Sequence, residues 1–258
     1  MHLEDKIYLI DLDGTMYRGN VIIEGAKELI DYLIANHRPF LFLTNNSSRT
    51  LRQNVKHMED MGFQGIKEDH FFTSAMAAAA HIAKSSEKRR CDYIGMDGLK
   101  EALENNGFEI VEENADFLFV GLDRSGTYAQ YSQKLQHLLN GAKLVGTNGD
   151  RLLANDTSFN VGNGSIVAMF EYATGQKSEP IGKPNAPILE EALRYIGKKK
   201  EECAIIGDNL ETDIKLGVDH GVDTIFITTG VHGLEDIQRL GIEPTMTIST
   251  LTSLIHKK

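Results

Sequence analysis

The chain has 258 residues, 41% of them hydrophobic, so it can bury a substantial core and is neither disordered nor fibrous. A formal net charge of −10 repels nucleic-acid phosphates and anionic lipid, and both are excluded as partners in the absence of a local basic patch. The basic runs are short: residues 87–91 (EKRRC) and 197–202 (GKKKEE) fall between elements and read as solvated turns.

In chain order, the opening MHLEDKIYLID is acidic where a secretory signal is basic, so export is not expected. No window approaches the roughly 18 consecutive apolar residues of a membrane span. Residues 7–10 and 40–43 are short continuous apolar runs, as in strands covered on both faces. Between them Ala26, Leu29, Ile30, Leu33 and Ile34 form one helical apolar stripe. The alanine-rich SAMAAAAHIA reads as a helix packed on its alanine face. A second cycle follows: a strand and helix in DYIGMDGLKEALENN, a turn at Asn106-Gly107, a strand in residues 115–123, a helix over 128–139, a strand in 142–148, and a helix over 164–175 stopped by glycine. Residues 203–208, 223–228 and 245–248 then repeat the strand signal. The alternation implies an α/β fold with a doubly wound parallel sheet, built from residues 1–80 and 179–258, with a smaller α/β domain, residues 81–178, inserted into it. Cys91 and Cys203 lie far apart with no CxxC pairing, so two free thiols in a reducing cytoplasm are expected, and none of the nine histidines is assigned a role.

Ligands of a doubly wound sheet sit outside the carboxyl ends of its strands, and the polar signals fall there. Asp11 and Asp13 follow the first strand, Thr44 and Asn45 the second, and Asp208 the strand that begins at Cys203; Lys183 precedes a helix that Pro184 and Pro187 help to start. Packed together and all ionised, the carboxylates of Asp11, Asp13, Asp208 and Asp213 would be prohibitively costly. A divalent cation and one lysine balance them if one aspartate stays protonated. Oxygen-only ligands select a hard ion such as Mg²⁺, and such a site suits phosphoryl transfer.

DLDGT, LTNNS, GKPNAPIL and GDNLETD, in this order and spacing, resemble the haloacid dehalogenase superfamily of phosphatases, and the position of the insert resembles its class II capped, nitrophenylphosphatase-like branch. The resemblance implies a Mg²⁺-dependent hydrolase of small phosphomonoesters acting through an aspartyl phosphate. Asp11 would be the nucleophile and Asp13 the general acid and base, with the Asp13 carbonyl on the metal. Thr44, the main-chain N–H of Asn45 and Lys183 would hold the phosphate. Asp11, Asp13 and Asp208 would form the metal site, with Asp213 one step further out, through water or as a partner of Lys183. Asn46, Ser47 and Ser48 stay open between a phosphate contact and a helix start. In the insert, GTNGDRLLANDTSFNVGNGS keeps the Thr147, Asn148 and Asp150 of a TNxD element but lacks the proline of its relatives, and residues 153–163, with Asn155, Asp156, Thr157, Ser158, Phe159 and Asn160, are the expected leaving-group selector. A phospho-acceptor signalling module and an inactive phosphate sensor are the rival readings. The expected partner is a small phosphomonoester, with no nucleic acid and no membrane; the sequence does not settle the oligomeric state and leaves a homodimer open.

Overall fold

The computed structural model describes residues 3–154 and 158–255, which fall into two compact units: residues 1–44, 52–72 and 192–258, and residues 45–51 and 73–191. The first unit carries a six-stranded sheet. Its strands run across the sheet in the order Phe71–Thr73, Phe40–Thr44, Ile7–Ile10, Cys203–Gly207, Asp223–Ile227 and Met246–Ile248. Ile7–Ile10 pairs in parallel with Cys203–Gly207 on one side, Ile7 opposite Cys203 and Ile10 opposite Ile206, and with Phe40–Thr44 on the other, Tyr8 opposite Phe40. Numbered along the chain, the strand order is 3-2-1-4-5-6, so the direction of winding reverses between the first and the fourth strand.

Every residue of Ile7–Ile10, Phe40–Thr44 and Cys203–Gly207 is buried, as a continuous apolar run requires when both sheet faces are covered. The helix Ala26–Ala35 buries Ala26, Leu29, Ile30 and Leu33 and leaves Ile34 half-buried, so the expected stripe is one residue narrower than its spacing suggests. Each of the larger side chains withdrawn in this way contributes about 1.5–3 kcal/mol.

The second unit has its own parallel sheet, in the order Glu109–Ile110, Arg90–Ile94, Phe117–Val120 and Lys143–Gly146. Leu118, Val120 and Leu144 of this sheet pack with Leu138 of the helix Tyr128–Leu139 and with Ile166, Val167 and Phe170 of the helix Asn163–Thr174. The helix Ser74–Ser85 buries Ala75, Ala77, Ala78 and Ala79, the face its composition predicts. The segment expected to select the leaving group forms a β-hairpin, Leu152–Ala154 antiparallel to Phe159–Val161, with Phe159 exposed. Of its proposed selector residues, Asn155, Asp156 and Thr157 lie outside the described residues. Among the described residues, no helix is long and apolar enough to cross a membrane.

Candidate active site

The reversal of winding places two strand ends side by side, and each continues directly into an aspartate. Asp11 extends the first strand by one rung, its N–H donating to the Ile206 carbonyl at 2.9 Å. Asp208 follows Gly207 on the neighbouring strand. The chain then enters a π-helical turn, Leu210–Ile214, ahead of the short helix Lys215–His220. Asn209 starts that turn, its side-chain oxygen accepting from the Glu211 N–H at 2.9 Å, and the Asn209 N–H donates to Asp213 Oδ2 at 3.3 Å. The turn folds Asp213 back toward the strand end. Asp11, Asp208 and Asp213 are all buried, and each offers a carboxylate oxygen within 4.8 Å of the others.

Close approach explains the surrounding glycines. Gly14 has φ +99°, and a Cβ there would lie 2.3 Å from Asp208 Oδ2. A Cβ on Gly207 would lie 2.2 Å from Asp213 Cβ, and one on Gly230 would lie 1.6 Å from Asp208 Oδ2.

The electrostatics follow from burial. Asp208 accepts hydrogen bonds from Thr15 Oγ1 at 3.1 Å and from the Val231 N–H at 2.8 Å, both neutral donors. Burial, and then the neighbouring Asp11, push its carboxyl up to about 6, while those donors pull the other way. Three buried carboxylates drawn together form an all-oxygen donor set that fits a hard divalent cation such as Mg²⁺.

Asp13 stands apart from this trio. Its side chain is exposed and its carboxylate is not among the three gathered oxygens; the resemblance asks only its main-chain carbonyl to meet a metal. The exposed side chain is placed beyond the strand end by a tight turn in which the Gly14 N–H donates to the Tyr17 carbonyl at 2.7 Å. Thr44 is buried at the end of its strand.

Asn45 and Lys183 belong to the second unit and are bonded to one another there. The Lys183 N–H donates to Asn45 Oδ1 at 2.8 Å, and Asn45 Nδ2 donates to the Lys183 carbonyl at 3.2 Å and to Asp150 Oδ2 at 2.9 Å. The Lys183 side chain is buried. Ser47 and Ser48 take up structural bonds: Ser47 Oγ accepts from the Leu122 N–H at 3.0 Å, and Ser48 donates to Asn46 Oδ1 from its N–H at 3.0 Å and its Oγ at 2.6 Å.

Sequence reasoning missed Thr15, Gly230 and the Val231 N–H around Asp208. Thr15 had a signal in its place beside Gly14; the residues at 230 and 231 had none. It also missed a buried carboxylate outside the trio, Asp92, which accepts from Lys134 Nζ at 2.6 Å and pairs with His137 Nε2 at 2.8 Å. Both cysteines are free and buried, and desolvation pushes the thiols up to about 12 for Cys91 and about 11 for Cys203.

Comparison with known proteins identifies the family. Residues 8–109 match the family model for haloacid dehalogenase-like hydrolases, and residues 180–254 match a HAD-hydrolase-like model. The chain is similar to the 5'-nucleotidase YutF of Bacillus subtilis, 39% identical over 254 residues that cover 97% of each protein. It is similar to the acid sugar phosphatase of Staphylococcus epidermidis, 41% identical over 251 residues covering 97% of this chain and 96% of that protein. Among solved structures it resembles the 4-nitrophenylphosphatase of Thermotoga maritima, with a TM-score of 0.90 at 32% identity, covering 99% of this chain and 98% of that one.

Proposed function

Because this chain belongs to the haloacid dehalogenase-like hydrolases and is a phosphomonoesterase, we propose that it hydrolyses small phosphomonoesters with Mg²⁺ through an aspartyl phosphate on Asp11. The observation that carries the proposal is the buried trio Asp11, Asp208 and Asp213 at the point where the sheet reverses its winding.

In this reading Asp11 attacks phosphorus in line, and the bond to the leaving oxygen breaks as the Asp11–phosphorus bond forms. Asp13, exposed beyond the strand end, gives its proton to the departing oxygen and then takes one from the water that cleaves the acyl phosphate. Thr44, the Asn45 N–H and Lys183 hold the phosphoryl oxygens. Asp11, Asp208 and the Asp13 carbonyl would hold the cation, and Asp213, which offers an oxygen within 4.8 Å of both Asp11 and Asp208, would stand with them or one step further out. When bound, Mg²⁺ neutralises the acid trio and the charge that develops on the phosphoryl group.

The names of the relatives, which include a 5'-nucleotidase, an acid sugar phosphatase and nitrophenyl phosphatases, support small substrates such as nucleoside monophosphates, sugar phosphates and p-nitrophenyl phosphate. Residues 81–178 are assigned as the cap that selects among them, with Phe159 of its hairpin as the apolar contact. Two free thiols fit a cytoplasmic enzyme. The test is a phosphoester panel assayed with Mg²⁺ and with excess EDTA. Turnover of several small esters that EDTA abolishes and Mg²⁺ restores is the expected result. Full turnover in EDTA would overturn the metal assignment, and a stable phosphoprotein without release of phosphate would overturn hydrolysis.

A further inference from the structure

The second unit contains an unbroken hydrogen-bonded chain of five side chains that ends on the two residues assigned to phosphate in that unit. Asn163, buried at the start of the helix Asn163–Thr174, donates to Asn148 Oδ1 at 3.1 Å, and Thr147 Oγ1 donates to the same oxygen at 2.9 Å. With its oxygen engaged twice, Asn148 must present its amide nitrogen on the other side, where it donates to Asp150 Oδ2. That same carboxylate oxygen accepts from Asn45 Nδ2 at 2.9 Å. The Lys183 N–H can only donate and the Asp150 carboxylate only accepts, so Asn45 is held in one amide orientation, oxygen toward Lys183 and nitrogen toward Asp150. The approach is close throughout: a Cβ on Gly182 would lie 2.8 Å from Asn45 Oδ1 and 2.7 Å from Asn148 Cβ.

From this we infer that Asp150 is a positioning residue for phosphate binding: its carboxylate anchors the Asn45 side chain, which in turn fixes the main chain of Asn45 and of Lys183. The inference rests on the phosphatase reading for the roles of Asn45 and Lys183, but the anchoring stands on distances within one unit. A carboxylate strengthens the anchor because the oxygen that accepts from both amide donors is charged, and charge-assisted bonds of this kind are roughly twice as strong as neutral ones. It also gives the TNGD element a task unlike that of the hairpin after it. The hairpin would choose the leaving group, whereas Asp150 would set affinity for the phosphoryl group that every substrate shares.

The test compares wild type, Asp150→Ala and Asp150→Asn in saturating Mg²⁺, with inorganic phosphate titrated by calorimetry and also used as a competitive inhibitor of p-nitrophenyl phosphate turnover, and with Tm as a check on folding. The alanine variant should weaken phosphate affinity and raise KM by about tenfold or more while shifting kcat and the Mg²⁺ requirement by less than about threefold. The asparagine variant, whose amide oxygen can still accept from Asn45, should fall between alanine and wild type. Phosphate affinity within about twofold of wild type in the asparagine variant, and in the alanine variant if it folds, would overturn the positioning role. So would an equal loss of kcat and phosphate affinity with a lowered Tm, the signature of a merely structural residue. Phosphate binding that depends on Asp150 in a protein without turnover would uphold the positioning role and overturn the phosphatase reading; no phosphate binding by wild type would overturn both.

Discussion

Asp208 and Asp92 are both almost fully buried carboxylates, one in each unit, and they are satisfied in opposite ways. Asp92 carries its own cation, Lys134, and a hydrogen bond with His137 Nε2, and its first oxygen also accepts from the Tyr93 N–H at 2.8 Å. Asp208 accepts, among the described residues, from the neutral Thr15 hydroxyl and from main-chain N–H groups including that of Val231, with the like charge of Asp11 beside it, and its carboxyl is pushed up to about 6. A buried acid that brings its own counter-charge is part of the packing. One held by neutral donors among other acids is unstable as an anion until a cation from outside arrives, and such instability belongs at sites that bind and react.

Four experiments test that contrast. The largest effect should come from Asp11→Asn, which keeps the shape of the trio and removes the nucleophile: kcat for p-nitrophenyl phosphate should fall by at least about a thousandfold with Tm preserved. Residual activity above a tenth of wild type would remove Asp11 from the chemistry. Asp13→Asn tests the exposed acid that lies outside the trio. It should lose about a hundredfold for a sugar phosphate, whose alkoxide must be protonated, and far less for p-nitrophenyl phosphate, whose phenolate leaves unaided. Equal losses on the two substrates would contradict its role as proton donor.

The third experiment measures folding rather than catalysis. Asp92→Ala leaves Lys134 and a buried His137 without their carboxylate and should cost about 3 kcal/mol in urea unfolding. In EDTA, Asp208→Asn relieves charge in the trio and should leave stability unchanged or raise it. If both substitutions destabilise alike, the distinction between the two acids fails.

The smallest effect concerns pH. The carboxyl of Asp208 is raised from its unfolded value of 3.8 to about 6 in the fold, so between those values the folded protein binds more protons than the unfolded chain. Stability of the metal-free protein should therefore fall as pH rises through about 4 to 6, by up to roughly 3 kcal/mol, and saturating Mg²⁺ should flatten or reverse the slope above pH 6. Urea midpoints at several pH values, with EDTA and with Mg²⁺, check this. An identical pH slope in wild type and Asp208→Asn would show that another group is responsible.

Sequence pattern located most of the elements, though not the pairing of Leu152–Ala154 with Phe159–Val161, and suggested the chemistry. Continuous apolar runs at residues 7–10, 40–43 and 203–207 read as strands covered on both faces, and an aspartate or threonine directly after each run then lands at a carboxyl end. Which of those ends meet depends on the packing of the whole sheet. The 3-2-1-4-5-6 order makes neighbours of Asp11 and Asp208, almost two hundred residues apart, because burying both faces of the sheet depends on strand order and not on local sequence. Local pattern places Asp213 on a helix but cannot foresee the π-helical turn that swings it back toward Asp208, since that turn depends on the close approach to Gly207. Thr147, Asn148 and Asp150 were visible as a motif, yet their bond to Asn45 was not: a hydrogen bond spanning 105 residues is set by where the folded chain brings two side chains together, and hydrophobic periodicity carries no record of it.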